Sequence, residues 1–332
     1  MTTTISVALC THNGAKYIEA QLRSILAQSV LPIQIVVSDD ASQDGTLSVV
    51  HGVLGTAQAE AVGITVTVLN HVKNVGVTSN FERALLACTG DLVALCDQDD
   101  IWHLDRLESA RRRFEDSPEL LLLHSDARLV DRDGEALGYS LFDALDLTDE
   151  ERAAITGGRG FEALLKRNLI TGATTMIRRT LVDRATPFPK PWVHDEWLGI
   201  VAAATGRIDL LPEQLIDYRQ HGTNQIGVRR LGIRGKIGRI FEPRGGRNLY
   251  LASRAAVMAS RLALLGDLVP ERITELADGK LRHLKVRAEL PDGRLGRLAP
   301  VLREIRTGRY SRFSRGRGDI LRDLLQPAGS TR

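Results

Sequence analysis

The sequence is short of cysteine, of aromatic side chains and of long apolar runs, and each shortage removes a class of protein. Its three cysteines, Cys10, Cys88 and Cys96, are odd in number and lack metal-ligand spacing. A disulfide framework and a zinc ribbon are therefore excluded, and the thiols read as small buried hydrophobes in a reducing cytosol. No stretch of about 18 apolar residues occurs, so no transmembrane helix is expected. Met1-Thr2-Thr3-Thr4 offers no basic leader, and Ile5–Cys10 is too short an apolar run for a signal peptide, so none is expected. After that run the chain reads Thr11-His12-Asn13-Gly14. The Gly-x-Gly-x-x-Gly of a dinucleotide-binding turn is absent.

What is present is ample core material and an uneven distribution of charge. The 332 residues suffice for one large domain with an appendage. The net charge of +3 hides 24 Lys and Arg against 10 Asp and Glu from Arg229 onward, leaving 20 against 31 before it. We place a boundary near Gly227, giving an acidic domain over 1–228 and a basic extension over 229–332. Short β-rich runs at Ile5–Cys10, Gln34–Ser38, Val66–Leu69 and Leu92–Cys96 alternate with helical spacing over Ala15–Gln28 and Asn80–Cys88. That alternation predicts an α/β fold, a mainly parallel sheet flanked by helices, whose ligands meet the carboxyl ends of the strands. Later strands are expected at Leu120–His124, Ala173–Ile177 and Ile208–Leu211, with a helix over Asp195–Thr205 and a looser polar region over Leu137–Gly160. In the extension Leu249–Leu265 and Glu271–Leu290 read as helices, and Gly308–Gly318 as disordered.

Polar residues collect where the strands end. Cys10-Thr11-His12-Asn13-Gly14 is a turn able to hydrogen-bond a base or ribose, with Asn13 also able to cap a helix. Asp39-Asp40 opens a second turn, Asp39–Thr46, whose later members read as caps. The adjacent acids call for a use, since like charges repel. Asp97-Gln98-Asp99-Asp100 puts three carboxylates into four residues after a buried strand, an oxygen cluster suited to a hard cation such as Mg2+ or Mn2+. Asp195 follows His194 ahead of a predicted helix; it can serve that helix terminus or take a proton as a base.

These segments, with Asn74-Val75-Gly76-Val77, resemble the inverting GT-A-fold glycosyltransferases of family 2 over roughly residues 5–225, and within them the bacterial rhamnosyltransferases of polysaccharide assembly. The resemblance implies donor contacts at Cys10, His12, Asn13, Asp39, Asp40, Asn74, Asn80, Asp97 and Arg219. It also implies a metal held by Asp99 with Asp97 and His221, the adjacent Asp100 leaving the choice of pair open, and a catalytic base at Asp195, with Glu196 the alternative. Gly172, Trp192, Trp197 and Glu196 are implied for the acceptor, the tryptophans reading equally as core. The implied reaction moves a sugar from a nucleoside-diphosphate sugar, dTDP-rhamnose before a UDP-hexose, onto a glycan or lipid-linked saccharide, with Mn2+ or Mg2+ as cofactor.

A nucleotidyltransferase would share the strand-end acids but need a glycine-rich, basic phosphate loop, which is missing; a catalytically silent nucleotide-sugar-binding protein is the other alternative. The basic extension has few aromatics (Phe241, Tyr250, Tyr310 and Phe313). No nucleic acid is therefore expected as a partner, and an anionic membrane surface suits the extension better. The expected location is cytoplasmic, with the extension at the inner face of the cell membrane.

Overall fold

The computed structural model describes residues 3–55, 63–220, 243 and 245–327. The chain divides into two compact units, Met1–Gly158 with Ile170–Val228, and Arg159–Leu169 with Arg229–Arg332. Arg159–Leu169 thus joins the second unit although it lies within the front domain by sequence.

In the first unit β1 (Ile5–Thr11), α1 (Ile18–Leu26), β2 (Gln34–Asp39), α2 (Thr46–Leu54), β3 (Thr65–Asn70), α3 (Val77–Ala87) and β4 (Leu92–Cys96) alternate as the apolar spacing predicts. Every residue of β1, β2 and β4 is buried. Burial on both faces is the reason these strands read as continuous Val/Ile/Leu runs instead of alternating ones. β5 (Ile101–Trp102), α4 (Arg106–Glu115), β6 (Leu120–Val130), β7 (Ala136–Ser140), α5 (Leu141–Ala144) and α6 (Asp149–Thr156) follow. The helix α7 (Gly160–Lys166) belongs to the second unit, and β8 (Thr175–Arg178), α8 (Thr180–Ala185), α9 (His194–Thr205) and β9 (Arg207–Arg219) return to the first.

The sheet runs β3-β2-β1-β4-β8-β6-β9-β5, with β7 beside β6. β1, β2, β3 and β4 pair in parallel, as do β6 and β9, while β8 enters antiparallel between β4 and β6. Two expectations need correction. β6 and β9 are 11 and 13 residues long, extending well past the apolar runs that marked them. The pairing of Asp126 to Val130 with Gln214 to Arg219 carries them on, since backbone partners sustain a strand where the apolar pattern fails. The polar region Leu137–Gly160 is also ordered. Capping boxes at Ser140 and Thr148 start α5 and α6 there, each satisfying helix-end N–H groups locally.

The second unit adds α10 (Arg247–Leu264), α11 (Glu271–Ala288), α12 (Arg294–Arg306), α13 (Arg309–Phe313) and α14 (Arg317–Leu325). The disorder expected over Gly308–Gly318 is overturned, because Tyr310, Phe313 and Ser314 are buried. Asp323, fully buried, accepts Nε of Arg287 at 2.6 Å and the hydroxyl of Tyr310 at 2.7 Å. Composition favours disorder in such a stretch, but a desolvated, fully paired carboxylate and two aromatic rings order it.

Two predictions follow from this packing. Asp323→Ala leaves Arg287 buried without its main counter-charge and should cost roughly 3–5 kcal/mol, read as a lowered urea midpoint. His124 and His283 are pushed down to about 4 and His194 to about 3, burial being the first cause in each. Their folded pKa values lie below the unfolded one, so the unfolded chain takes up protons first. Stability should fall as pH drops from about 6.5 towards 4. His124→Leu, on a ring that touches Phe142 edge-on, should flatten that slope, and an unchanged slope would remove His124 from it.

Candidate active site

Parallel pairing sets the ends of β1, β2 and β4 side by side, with Thr11 opposite Asp39 and Leu9 opposite Cys96. The polar residues following each strand therefore emerge at one edge. Asp39 and Asp40 reach it buried, and both carboxylates are engaged by the chain itself. Asp39 accepts Ser42 N–H at 2.8 Å and its hydroxyl at 2.5 Å. Asp40 accepts the N–H groups of Val75 and Gly76 at 2.7 and 2.9 Å. The adjacent acids thus have a use inside the fold, since four donors of the chain offset their repulsion. Asp40 in turn holds the Asn74 loop near His12, whose ring lies 3.4 Å from Asn74 Nδ2 and 2.7 Å from the Asp40 carbonyl.

Asn13 caps no helix, as α1 begins at Ile18. Its Oδ1 accepts Gln43 N–H at 2.8 Å, joining the first two turns. Cys10 is buried, and burial followed by the Asp97 charge pushes its thiol well up. Asn80 is only 2% exposed and donates to the Ser38 carbonyl at 2.9 Å. It therefore lies packed under the end of β2, not at the lining of an open pocket where it was expected.

The acidic loop is held from below by a residue that sequence reasoning passed over. Arg106, on α4, is buried against the Trp102 ring at 3.7 Å and donates to the carbonyls of Leu95 and Ala173 at 3.2 and 2.8 Å. Burial lowers it to about 10, against the raising effect of Cys96, Asp100 and Asp97. Gln98 fastens the loop to β1. Its Oε1 accepts from Thr11 Oγ1 at 2.6 Å and His12 N–H at 2.8 Å, and its Nε2 donates to the His12 carbonyl at 3.1 Å. A Cβ on Gly14 would fall 2.2 Å from Gln98 Oε1, so only glycine leaves room for this clamp.

The three acids of the loop do different things. Asp100, 1% exposed, turns inward and accepts Arg219 N–H at 3.0 Å. Burial, then Asp99 and Asp97, push its carboxyl well above the ordinary range. Asp97 is pushed up to about 7 by burial, Asp99 and Asp195, with Arg106 opposing. A carboxylate that ionises reluctantly beside two others suits a site completed by a cation. Among the described residues no three His, Cys, Asp or Glu side chains form a closed metal cage. The donor set that fits is the open one, one or two hard carboxylates with substrate oxygens making up the shell. Asp97 and Asp99 meet it, and Asp100 is the least available. His221 lies outside the described residues.

Arg219 braces the loop, its guanidinium donating to the carbonyls of Asp99, Asp131 and Arg132 at 2.9, 3.2 and 3.1 Å. Tyr218, buried beside it, is a second residue the sequence did not single out. Burial and then the charges of Asp100, Asp97, Asp99 and Asp195 push its phenol well up, which puts it in the field of all four.

Asp195 stands in the first turn of α9, where the helix terminus favours negative charge. Its Oδ2 accepts Gly172 N–H at 3.0 Å and its Oδ1 accepts Glu196 N–H at 2.6 Å. Asp195, not Glu196, is the acid whose charge reaches Asp97. Gly172 serves a closer neighbour than a sugar, since a Cβ there would lie 2.8 Å from His194 Nε2. His194 is buried and stacked on Phe81 at 3.9 Å. Trp197 is corrected from acceptor contact to core, being 0% exposed with its indole N–H donated to the Ala185 carbonyl at 2.8 Å. Trp192 is buried 5.4 Å from it, and Glu196 is half-buried.

The chain is similar in sequence and fold to known proteins. The family model described as Glycosyl transferase family 2 matches residues 6–184. An uncharacterised protein of Mycobacterium tuberculosis is 28% identical over 225 residues, covering 65% of this chain and 59% of its own length. The chain thus spans about three fifths of that relative. A dTDP-rhamnosyl transferase of Shigella flexneri is 26% identical over 234 residues, covering 66% of this chain and 74% of the relative. A mannosyltransferase of Pyrobaculum calidifontis, solved with GDP-Man and Mn2+, superposes with a TM-score of 0.54 at 20% identity, covering 93% of this chain and 76% of that one. At that identity the likeness is one of fold, and the fold is GT-A. With its strand-end acids on a GT-A sheet and the family model matching more than half its length, the chain belongs to glycosyl transferase family 2.

Proposed function

We propose that the protein transfers a sugar, with inversion, from a nucleoside-diphosphate sugar to a hydroxyl of a glycan or lipid-linked saccharide. The observation that carries this reading is the pairing of Asp97 and Asp99 at the end of β4 with a separate acid, Asp195, whose charge reaches Asp97 from α9. An inverting transfer needs these two functions apart, one for the leaving diphosphate and one for the attacking hydroxyl. The Shigella relative supports dTDP-rhamnose as the donor sugar nucleotide, with a UDP-hexose as the competitor.

In this reading Asp97 and Asp99 hold Mn2+ or Mg2+, with His221 as a further ligand. The bound cation supplies Lewis-acid stabilisation of the departing diphosphate. The chain's own residues do the rest. His12, Asn13 and Asn74 face the nucleoside from the turns that Asp39 and Asp40 hold in shape. Arg106 offsets part of the cluster's charge from below. Asp195, both oxygens fixed by backbone N–H groups, takes the acceptor proton as the hydroxyl attacks the anomeric carbon. A single displacement requires no covalent intermediate.

Two measurements test this. A chelator should abolish transfer, Mn2+ or Mg2+ should restore it, and the released product should be a nucleoside diphosphate. Full activity in chelator would remove the metal, and pyrophosphate release would point to nucleotidyl transfer. Asp195→Asn should keep donor-dependent thermal stabilisation while transfer falls by ~10²–10⁴-fold. Unchanged turnover would take Asp195 out of the base role.

A further inference from the structure

The second unit carries a helix whose polarity is inverted. On α12 the buried face holds Arg297, Val301 and Glu304, at 0, 1 and 1% exposure. Leu295, Leu298, Leu302 and Ile305 are instead 84, 45, 49 and 39% exposed. At 3.6 residues per turn these four fall within an arc of about 80°, a continuous apolar stripe. Arg294 and Arg306, both exposed, fall on its two borders. The buried charges are accounted for inside the unit. Arg297 donates to the carbonyls of Pro291, Asp292, Asp323 and Gln326 at 2.7, 2.7, 3.1 and 2.6 Å. Glu304 meets His283 at 2.6 Å and Arg309 at 2.8 Å. The helix is thus held by its polar face and turns its leucines to the solvent.

At the C-terminal end of α12, Thr307 borders a cavity of about 380 Å³ also lined by Glu275, Arg282, Arg309, Arg312 and Phe313. With Arg309 paired to Glu304, Arg282 and Arg312 against Glu275 still leave the lining net positive, which suits anionic oxygens, and arginine forks match phosphate geometry. A solvated face would need the arginines but not the leucines, and a protein-binding stripe would need the leucines but not the arginine cavity. Nucleic acid would need several exposed rings for stacking; Tyr310 and Phe313 are buried, and among the described phenylalanines and tyrosines of this unit Tyr250 alone is exposed. An apolar stripe bordered by arginines, beside a basic cavity, matches the interface of an anionic bilayer. The excess of 24 basic over 10 acidic residues from Arg229 onward adds attraction at longer range.

We infer that the exposed face of α12 and the adjoining arginine cavity dock the protein on an anionic lipid surface. The leucines enter the boundary between headgroups and acyl chains, and Arg282 and Arg312 take lipid phosphates. This surface is independent of the transfer reading and is tested without it. The full chain is sedimented with neutral phosphatidylcholine vesicles and with vesicles containing phosphatidylglycerol, beside Leu298→Ser/Leu302→Ser and Arg282→Gln/Arg312→Gln. All substituted positions are exposed, and unchanged thermal unfolding confirms that each variant is folded. The wild type should sediment only with the anionic vesicles, and each double variant should partition about tenfold or more weakly. Three results would overturn the inference. One is equal sedimentation with neutral vesicles, and another is wild-type partitioning by the leucine variant with full competition by inorganic phosphate, which would mark a small-anion site. The last is a dimer that Leu298→Ser/Leu302→Ser disperses while vesicles bind neither form.

Discussion

The site depends on one buried guanidinium. Arg106 links the carbonyl of Leu95, at the end of β4, to the carbonyl of Ala173, in the turn that presents Gly172, and rests on the Trp102 ring. Those two segments carry the Asp97–Asp100 loop and the N–H that orients Asp195. A cation in that position both joins the two halves and lowers the cost of crowding carboxylates above it. Its own pKa shows the strain of burial, falling to about 10 despite three acidic neighbours. Without it, Asp97, already pushed up to about 7, would ionise still less readily.

Around that centre, several acids shape the loops. Asp39, Asp40 and Asp100 spend oxygens on N–H groups of the chain, which fixes the turns. Backbone donors suit this task because they cannot move away without unfolding a turn. Asp97 and Asp99 stand at the less enclosed part of the loop. The same economy appears in the second unit, where Arg297 and Asp323 are enclosed in their own partners and apolar side chains face outward. There the polar groups organise the fold, and exposed leucines are free for an external surface.

Much of the sheet was legible because buried parallel strands announce themselves as unbroken apolar runs, as at Ile5–Thr11 and Leu92–Cys96. The acids at their ends were legible for the complementary reason, that charge stops abruptly where burial does. β5 and β7 were not, since two residues at Ile101–Trp102 and a partly exposed Ala136–Ser140 carry no periodic pattern. Trp192 and Trp197 misled through the ambivalence of indole, which packs in a core as readily as on a sugar. Arg106 could have been suspected from its place four residues after Trp102, but an arginine at a helix start reads as solvated by default.

The sequence by itself determined the class of fold, the parallel order of strand and helix, and the residue types that meet at the strand ends, because burial and hydrogen bonding constrain composition locally. Only the tertiary structure decided which acid faces inward, that Gly14 and Gly172 make room for Gln98 and His194, and that Arg106 and Tyr218 belong to the acidic site. These are matters of direction and distance between segments separated along the chain, by 67 residues for Arg106 and Ala173 and by 119 for Asp100 and Arg219. No local pattern records them, because the desolvation and Coulomb energies that fix them exist only once the segments have met.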